Sequence, residues 1–82
     1  MMNPRVKEVT ANDDYTLKLS FENGEVRLFD MKPYLDFGVF KELKDLSQFK
    51  TARASMGSVL WQGGQDLCPD TFYEDSAQWN EP

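Results

Sequence analysis

A chain of 82 residues forms one domain, residues 1–82, because two independent hydrophobic cores would not fit in it. Its formal charge is −5, from 14 acidic and 9 basic residues, and it has no lysine- or arginine-rich run. Since nucleic acids and anionic membranes are bound largely through basic clusters, both are disfavoured as direct partners. A neutral or basic protein surface is favoured instead.

The cellular compartment of the protein is indicated by features that its sequence lacks. Cys68 is the one cysteine, so an internal disulfide is excluded and a reducing compartment is favoured. The N-terminus lacks the apolar core of a signal peptide, and the longest apolar run, residues 59–61, is far too short to cross a membrane. We expect a soluble, cytoplasmic protein.

The first half of the chain predicts a β-meander. Residues 5–10 favour an edge strand, and residues 15–21 alternate apolar and polar side chains with period two, which indicates a strand with one buried face. Asn23-Gly24 then favours a type I′ turn, because both residues accept positive φ. That turn would pair Phe21 with Val26 and Leu19 with Leu28.

This register fixes which side chains share each face of the predicted hairpin. It places Phe29 on the face opposite Leu28. The other face is expected to be polar, with Thr16, Lys18, Ser20 and Arg27. A solvent-facing sheet surface or edge should therefore remain, and edges are sites of strand addition and dimerisation.

Short helices follow the meander. Pro33 is tolerated in a first helical turn over residues 31–35, and Gly38 breaks that turn. Phe40 and Leu43 then face one way at helical spacing, which predicts a helix of about two turns that needs packing to be stable. Tyr34, Phe37 and Phe40 are expected to dock these helices onto the sheet.

The last part of the chain predicts one or two further strands and a C-terminal helix. Residues 51–61 favour extended structure, with a turn or bulge at Met56-Gly57. Pro69 suits a first helical position, and residues 77–82 are expected to be a frayed tail. The fold class is α+β, a small mainly antiparallel sheet with short helices packed on one face.

Four motifs in this order resemble a widespread bacterial family of small domains of unknown function. They are P-R-V at 4–6, Y-x-L-x-L-x-F-x-N-G-E-x-R-x-F-D at 15–30, P-Y-L at 33–35 and W-x-x-G-x-D-L-x-P-D-x-x-Y at 61–73. The resemblance implies an α+β domain with no agreed activity. Some such domains are fused to helix-turn-helix domains, and others are encoded beside a second small domain, as in toxin–antitoxin pairs.

No catalytic constellation is visible. The chain has no histidine, which removes the commonest general base and most metal-ligand sets. Cys68 before Pro69 is better explained as a helix-capping residue than as a nucleophile, since no basic neighbour is close in sequence. Asp66 and Asp70 fit helix N-terminal preference better than a metal site. We expect no enzyme activity, cofactor or metal.

One segment offers a candidate interaction or ligand surface. Trp61 adjoins a flexible polar loop and could stack on a ligand or anchor a partner, although a core tryptophan is the simpler interpretation. The candidate residues are Trp61, Gln62, Gln65, Asp66, Asp70 and Tyr73. Two hypotheses follow: a non-enzymatic protein-interaction or regulatory module, antitoxin-like or dimeric through a sheet edge, or a small-ligand or metal-binding domain using this loop.

Overall fold

The computed structural model describes residues 3–65, 67 and 69–78, and it describes residue 78 by its backbone alone. The described residues form six β-strands, two α-helices and two 3₁₀ helices. In chain order they are β1 (Val6–Ala11), β2 (Thr16–Phe21), β3 (Val26–Asp30), a 3₁₀ helix (Lys32–Tyr34), a second 3₁₀ helix (Gly38–Lys44), α1 (Leu46–Phe49), β4 (Arg53–Ser55), β5 (Ser58–Leu60), α2 (Pro69–Glu74) and β6 (Ala77–Gln78).

The strands form two antiparallel sheets. The larger one has the order β1-β2-β3-β6, and β4 and β5 form a separate hairpin. The predicted α+β class is confirmed, with β1 at an edge. The tail differs from the prediction, because Ala77 pairs with Leu28 and so continues the sheet; residues 79–82 lie outside the described part.

The predicted register of the β2–β3 hairpin is wrong by one residue. Leu17 pairs with Phe29 and Leu19 with Arg27. The turn is type I followed by a glycine bulge: Gly24 N donates to Phe21 O at 3.0 Å, and Phe21 N donates to Glu25 O at 2.9 Å. Gly24, at φ 90°, supplies the left-handed residue that this bulge requires.

This register reverses the predicted faces of β3. Phe29 is buried against the core, and Leu28 lies half-exposed on the other face with Lys18 and Ser20. Arg27, predicted on the polar face, shares the face of Leu19 instead. Because the side-chain period of a strand is two, a slip of one residue exchanges every side chain between faces.

One hydrophobic core lies between the larger sheet and the remaining elements. β2 and β3 contribute Leu17, Leu19, Phe21 and Phe29. The 3₁₀ and α-helices and the β4–β5 hairpin cover them, and the buried side chains from these elements and the adjoining loops are Met31, Leu35, Leu43, Phe49, Val59, Trp61 and Phe72. Within the described residues, no helix is both long and apolar enough to cross a membrane.

The β4–β5 hairpin is joined to the start of β1. Met56 and Gly57 both have positive φ, 51° and 83°, and form the two-residue tip of a type I′ turn. Val6 N donates to Gly57 O at 3.0 Å, and Arg5 Nη2 donates to Met56 O at 2.8 Å. The turn predicted at Met56-Gly57 is therefore confirmed, and contacts from β1 fix its position.

Candidate interaction surfaces

Trp61 lies in the core. It is 1% exposed, and its indole Nε1 donates to the Phe49 carbonyl at 2.9 Å. Its ring packs between Phe49 and Phe72, with centroids 6.2 Å and 6.4 Å away. Since the ring is enclosed on both sides, it cannot stack on a ligand without unfolding of the core. Trp61 is therefore a core tryptophan, which was the simpler of its two interpretations.

Gln65 is buried as well, 4% exposed, at the end of the loop that begins with Trp61. Its Nε2 donates to Val39 O at 3.1 Å and to Glu42 Oε2 at 3.0 Å. Gln62, in contrast, is exposed and is held by its backbone N–H, which donates to Thr51 Oγ1 at 3.0 Å. The loop thus ties the second 3₁₀ helix to the core and does not form an open polar site.

Tyr73 is directed towards the β2–β3 turn. Its hydroxyl donates to Glu25 Oε1 at 2.7 Å, and the Arg27 guanidinium carbon lies 4.1 Å from its ring centroid. The Tyr73 hydroxyl, followed by the Asn23 amide, lowers the pKa of Glu25 below its ordinary value by stabilising the carboxylate. These contacts hold α2 against the larger sheet.

Asp70 is exposed near the N-terminal segment, where it accepts a hydrogen bond from Asn3 Nδ2 at 3.3 Å. Asp66 and Cys68 lie outside the described residues. The structure therefore separates the predicted set: Trp61 and Gln65 face inward, whereas Tyr73 and Asp70 contact different segments. Among the described residues, no group of three metal-ligating side chains occurs.

The structure exposes an apolar feature at residues 37–39, which we name the knuckle. Phe37 and Val39 are 66% and 65% exposed. The prediction that Phe37 docks onto the sheet is wrong; Tyr34 and Phe40 are half-buried, and Tyr34 stacks on Phe29 with centroids 5.5 Å apart. Phe37 leaves the packed face because it is extended, at φ −104° and ψ 122°, between two separate 3₁₀ helices.

The backbone of the knuckle is fixed at both ends. Phe37 N donates to Tyr34 O at 3.1 Å, and Phe40 N donates to Phe37 O at 2.9 Å. The Gln65 amide binds the Val39 carbonyl from the core side. Lys44 pairs with Asp36 at 2.7 Å and lowers the pKa of that carboxyl. A glycine between two apolar residues was the sequence signal for this exposed turn.

A second surface is a groove beside β5, which we name the β5 groove. It has a volume of about 360 Å³, and it is lined by Ser58–Leu60 together with Ser55, Met56, Leu67 and Pro69. Of these residues, Met56 is 90% exposed and Pro69 is the first residue of α2. The hydroxyl of Ser58 donates to Leu67 O at 2.9 Å, and the other lining side chains except Ser55 are apolar.

Comparison with known proteins identifies a family and no function. A family model described as a protein of unknown function (DUF2442) matches residues 6–78. No curated protein and no solved structure matches the chain. The match confirms the resemblance to a family of small domains of unknown function, and it covers both the knuckle and the β5 groove.

Proposed function

Because this chain belongs to the DUF2442 family of proteins of unknown function, we propose its role from its surface. We propose that the domain is a non-enzymatic module that binds another protein, and that the knuckle is the anchor of the interface. The observation that carries this proposal is a phenylalanine and a valine, each about two-thirds exposed, on a fixed turn.

Two physical arguments support the knuckle as an anchor. Exposing an aromatic ring to water is unfavourable, and its burial in a partner pocket contributes about 1.5–3 kcal/mol. Aromatic residues also dominate the binding energy of protein interfaces. The hydrogen bonds of Tyr34, Phe40 and Gln65 to the knuckle backbone restrict its conformation before binding, which lowers the entropic cost of association.

The residue types in the chain favour a protein-binding role over catalysis. The sequence contains no histidine, the commonest general base, so the Ser–His and Cys–His nucleophile pairs are missing from it. Trp61, the side chain that a ligand-binding role would need, is enclosed in the core. These features favour a binding role over the ligand- or metal-binding alternative.

The finer role proposed here is regulatory. By its resemblance to domains encoded in toxin–antitoxin-like pairs, the chain would be the antitoxin-like half of a pair of small cytoplasmic proteins. An acidic chain of this kind suits a partner with a neutral or basic surface. Any effect on DNA would then come through the partner.

The test places the same carboxylate at two exposed positions, Phe37→Asp on the knuckle and Thr10→Asp on β1. The tagged chain is expressed in the cells it comes from, the captured protein is identified by mass spectrometry, and its affinity for each purified variant is measured by calorimetry. We expect Phe37→Asp to weaken binding by roughly thirtyfold or more, as for an interface hot spot, and Thr10→Asp to leave it unchanged.

The other outcomes separate the alternatives. If Thr10→Asp abolished binding and Phe37→Asp did not, the knuckle would not be the anchor of the interface, and the partner would bind at the sheet edge formed by β1. A dimer of the unmodified chain in analytical ultracentrifugation that dissociates with Thr10→Asp would favour homodimerisation through that edge. Turnover of a substrate by the purified chain would contradict the non-enzymatic role.

A further inference from the structure

The net negative charge of this chain comes entirely from residues 54–82. Residues 1–53 contain all 9 basic residues, and the 9 acidic residues in the same segment cancel them. Residues 54–82 therefore carry the other 5 of the 14 acidic residues and no base, which gives this segment the whole net charge of −5. The surface that residues 54–82 form is therefore expected to be negatively charged.

The described acids of this segment lie on and just after α2. Asp70, Glu74 and Asp75 are all exposed. Asp70 accepts a hydrogen bond from the neutral amide of Asn3, and Asp75 accepts one from the neutral hydroxyl of Tyr34 at 3.1 Å. In the described part of the chain, the ion pairs involve other acids, Asp13, Glu25, Asp30 and Asp36. Among the described residues, none of these ion pairs involves a carboxylate of α2.

This acidic helix begins at the end of the β5 groove. Pro69 belongs to the groove wall and is the first residue of α2, so Asp70 is the next residue in the chain after the wall. Arg5 Nη2 donates to the carbonyl of Met56, another residue of the groove wall, at 2.8 Å. The groove wall therefore contains apolar side chains, and the exposed carboxylates of α2 begin one residue beyond it.

We infer that the β5 groove binds a segment of a partner protein that presents an apolar side chain next to lysine or arginine. The apolar side chain would occupy the floor formed by Val59, Leu60 and Leu67, and the basic residue would lie over α2. The thioether of Met56 is unbranched and flexible, and it can adapt to the shape of the inserted side chain.

Charge complementarity selects this occupant over others. Acidic peptides, nucleic acids and anionic membranes are repelled by the α2 end, whereas a purely apolar segment leaves its carboxylates without a counter-charge. The knuckle contributes no residue to this groove, so the inference stands or falls separately from the proposed function.

The test uses two labelled peptides of matched hydrophobicity, K-L-K-F-K-L-K and E-L-E-F-E-L-E, with fluorescence anisotropy to measure binding to the full chain. We expect the basic peptide to bind and the acidic one not to bind. The double variant Asp70→Asn, Glu74→Gln should weaken the basic peptide by about two- to tenfold and reduce its salt dependence. Asp13→Asn, which removes a charge at the opposite end of β1, should change affinity less than twofold by the same estimate.

The floor is tested independently of the charges. Met56→Ser should weaken the basic peptide by about tenfold, because the apolar contact is lost. In NMR titrations, amide shifts should concentrate at Leu60, Leu67 and Met56. Equal binding of the two peptides, unchanged affinity in the α2 double variant, shifts outside the groove, or no binding at millimolar peptide would each overturn the inference. Thermal unfolding of every variant verifies that it is folded.

Discussion

Two hairpins of this domain, β2–β3 and β4–β5, have a glycine as the second residue of the dipeptide at their tip, yet they use different turns. At the β2–β3 tip, Gly24 alone of the pair has positive φ, and the turn is type I with a glycine bulge. At the β4–β5 tip, Met56 and Gly57 both have positive φ. The Asn-Gly dipeptide, which favours a type I′ turn, does not adopt it, and the Met-Gly dipeptide does.

The comparison teaches that tertiary contacts decide the form of each turn. A type I′ turn at Asn23-Gly24 would shift the register by one residue, so that Leu28 would replace Phe29 in the core. The ring contacts of Phe29 with Tyr34 and Phe72, at centroid distances of 5.5 Å and 5.0 Å, would then be lost. At the other tip, Arg5 and Val6 bind the carbonyls of Met56 and Gly57 and hold methionine in a left-handed conformation. Met56 of this strained tip also lines the β5 groove.

The largest predicted effect is the loss of stability on replacing Gly57, which should exceed the loss on replacing Gly24. Gly57→Ala should destabilise the domain by about 2–3 kcal/mol, the sum of left-handed strain and the loss of one hydrogen bond. A Cβ at Gly57 would overlap Arg5 Nε, and Arg5 must then release the Met56 carbonyl. Urea unfolding measures the change. If Arg5→Ala does not reduce the cost of Gly57→Ala in a double-mutant cycle, the contact contributes nothing to it.

Gly24→Ala should cost less, about 1–2 kcal/mol, because strain is its only source. Gly24 has φ 90°, and a Cβ built there meets no atom within 4 Å. The same urea titration applies, and the difference between the two glycine variants measures the Arg5 contact. A cost equal to that of Gly57→Ala would mean that the two tips do not differ in tertiary constraint.

Exchanging the residues that precede the glycines should have opposite effects of about 0.5–1 kcal/mol. Met56→Asn should stabilise the domain, since asparagine accepts the left-handed conformation more readily than methionine. Asn23→Met should destabilise it, since Asn23 Oδ1 accepts from Glu25 N at 3.0 Å. Thermal unfolding measures both variants, and a loss of stability in Met56→Asn would contradict the presence of strain at that tip.

The smallest effect is on pH dependence, and it concerns the β2–β3 tip alone. Hydrogen bonds, first from Tyr73, lower the folded pKa of Glu25 from its ordinary value of 4.5. Because the folded pKa is the lower one, the stabilisation is present above the unfolded pKa and is lost as pH falls through the folded pKa. Urea midpoints at acidic and neutral pH should therefore differ less in Tyr73→Phe than in the unmodified chain.

The β4–β5 tip provides the control for that measurement. The acceptor of the Arg5 hydrogen bond is the Met56 carbonyl, which does not titrate, so the cost of losing this bond in Arg5→Ala should be the same at both pH values. An NMR titration of the Glu25 carboxyl gives the pKa directly in both proteins. A Glu25 pKa that does not rise in Tyr73→Phe would show that Tyr73 is not the cause of the shift.

The candidate site was harder to predict than the fold because it depends on where helices end. The sequence predicts a helical turn over residues 31–35, a break at Gly38 and a second helix, with Tyr34, Phe37 and Phe40 docked onto the sheet. The two helical pieces are present, but the extended conformation of Phe37 between them turns its ring to solvent. Likewise, nothing in the local sequence of residues 53–58 shows that Arg5 binds the turn from the other end of the chain.

The sequence by itself determined the α+β class, the alternation that buries Leu17, Leu19 and Phe21, the turn at Met56-Gly57 and the start of α2 at Pro69. Each depends on a local period or a residue-specific backbone preference. The tertiary structure decided the β2–β3 register, the burial of Trp61 and Gln65, and the exposure of Phe37. These features depend on which surfaces compete for the core, and residues far apart in the chain settle that competition.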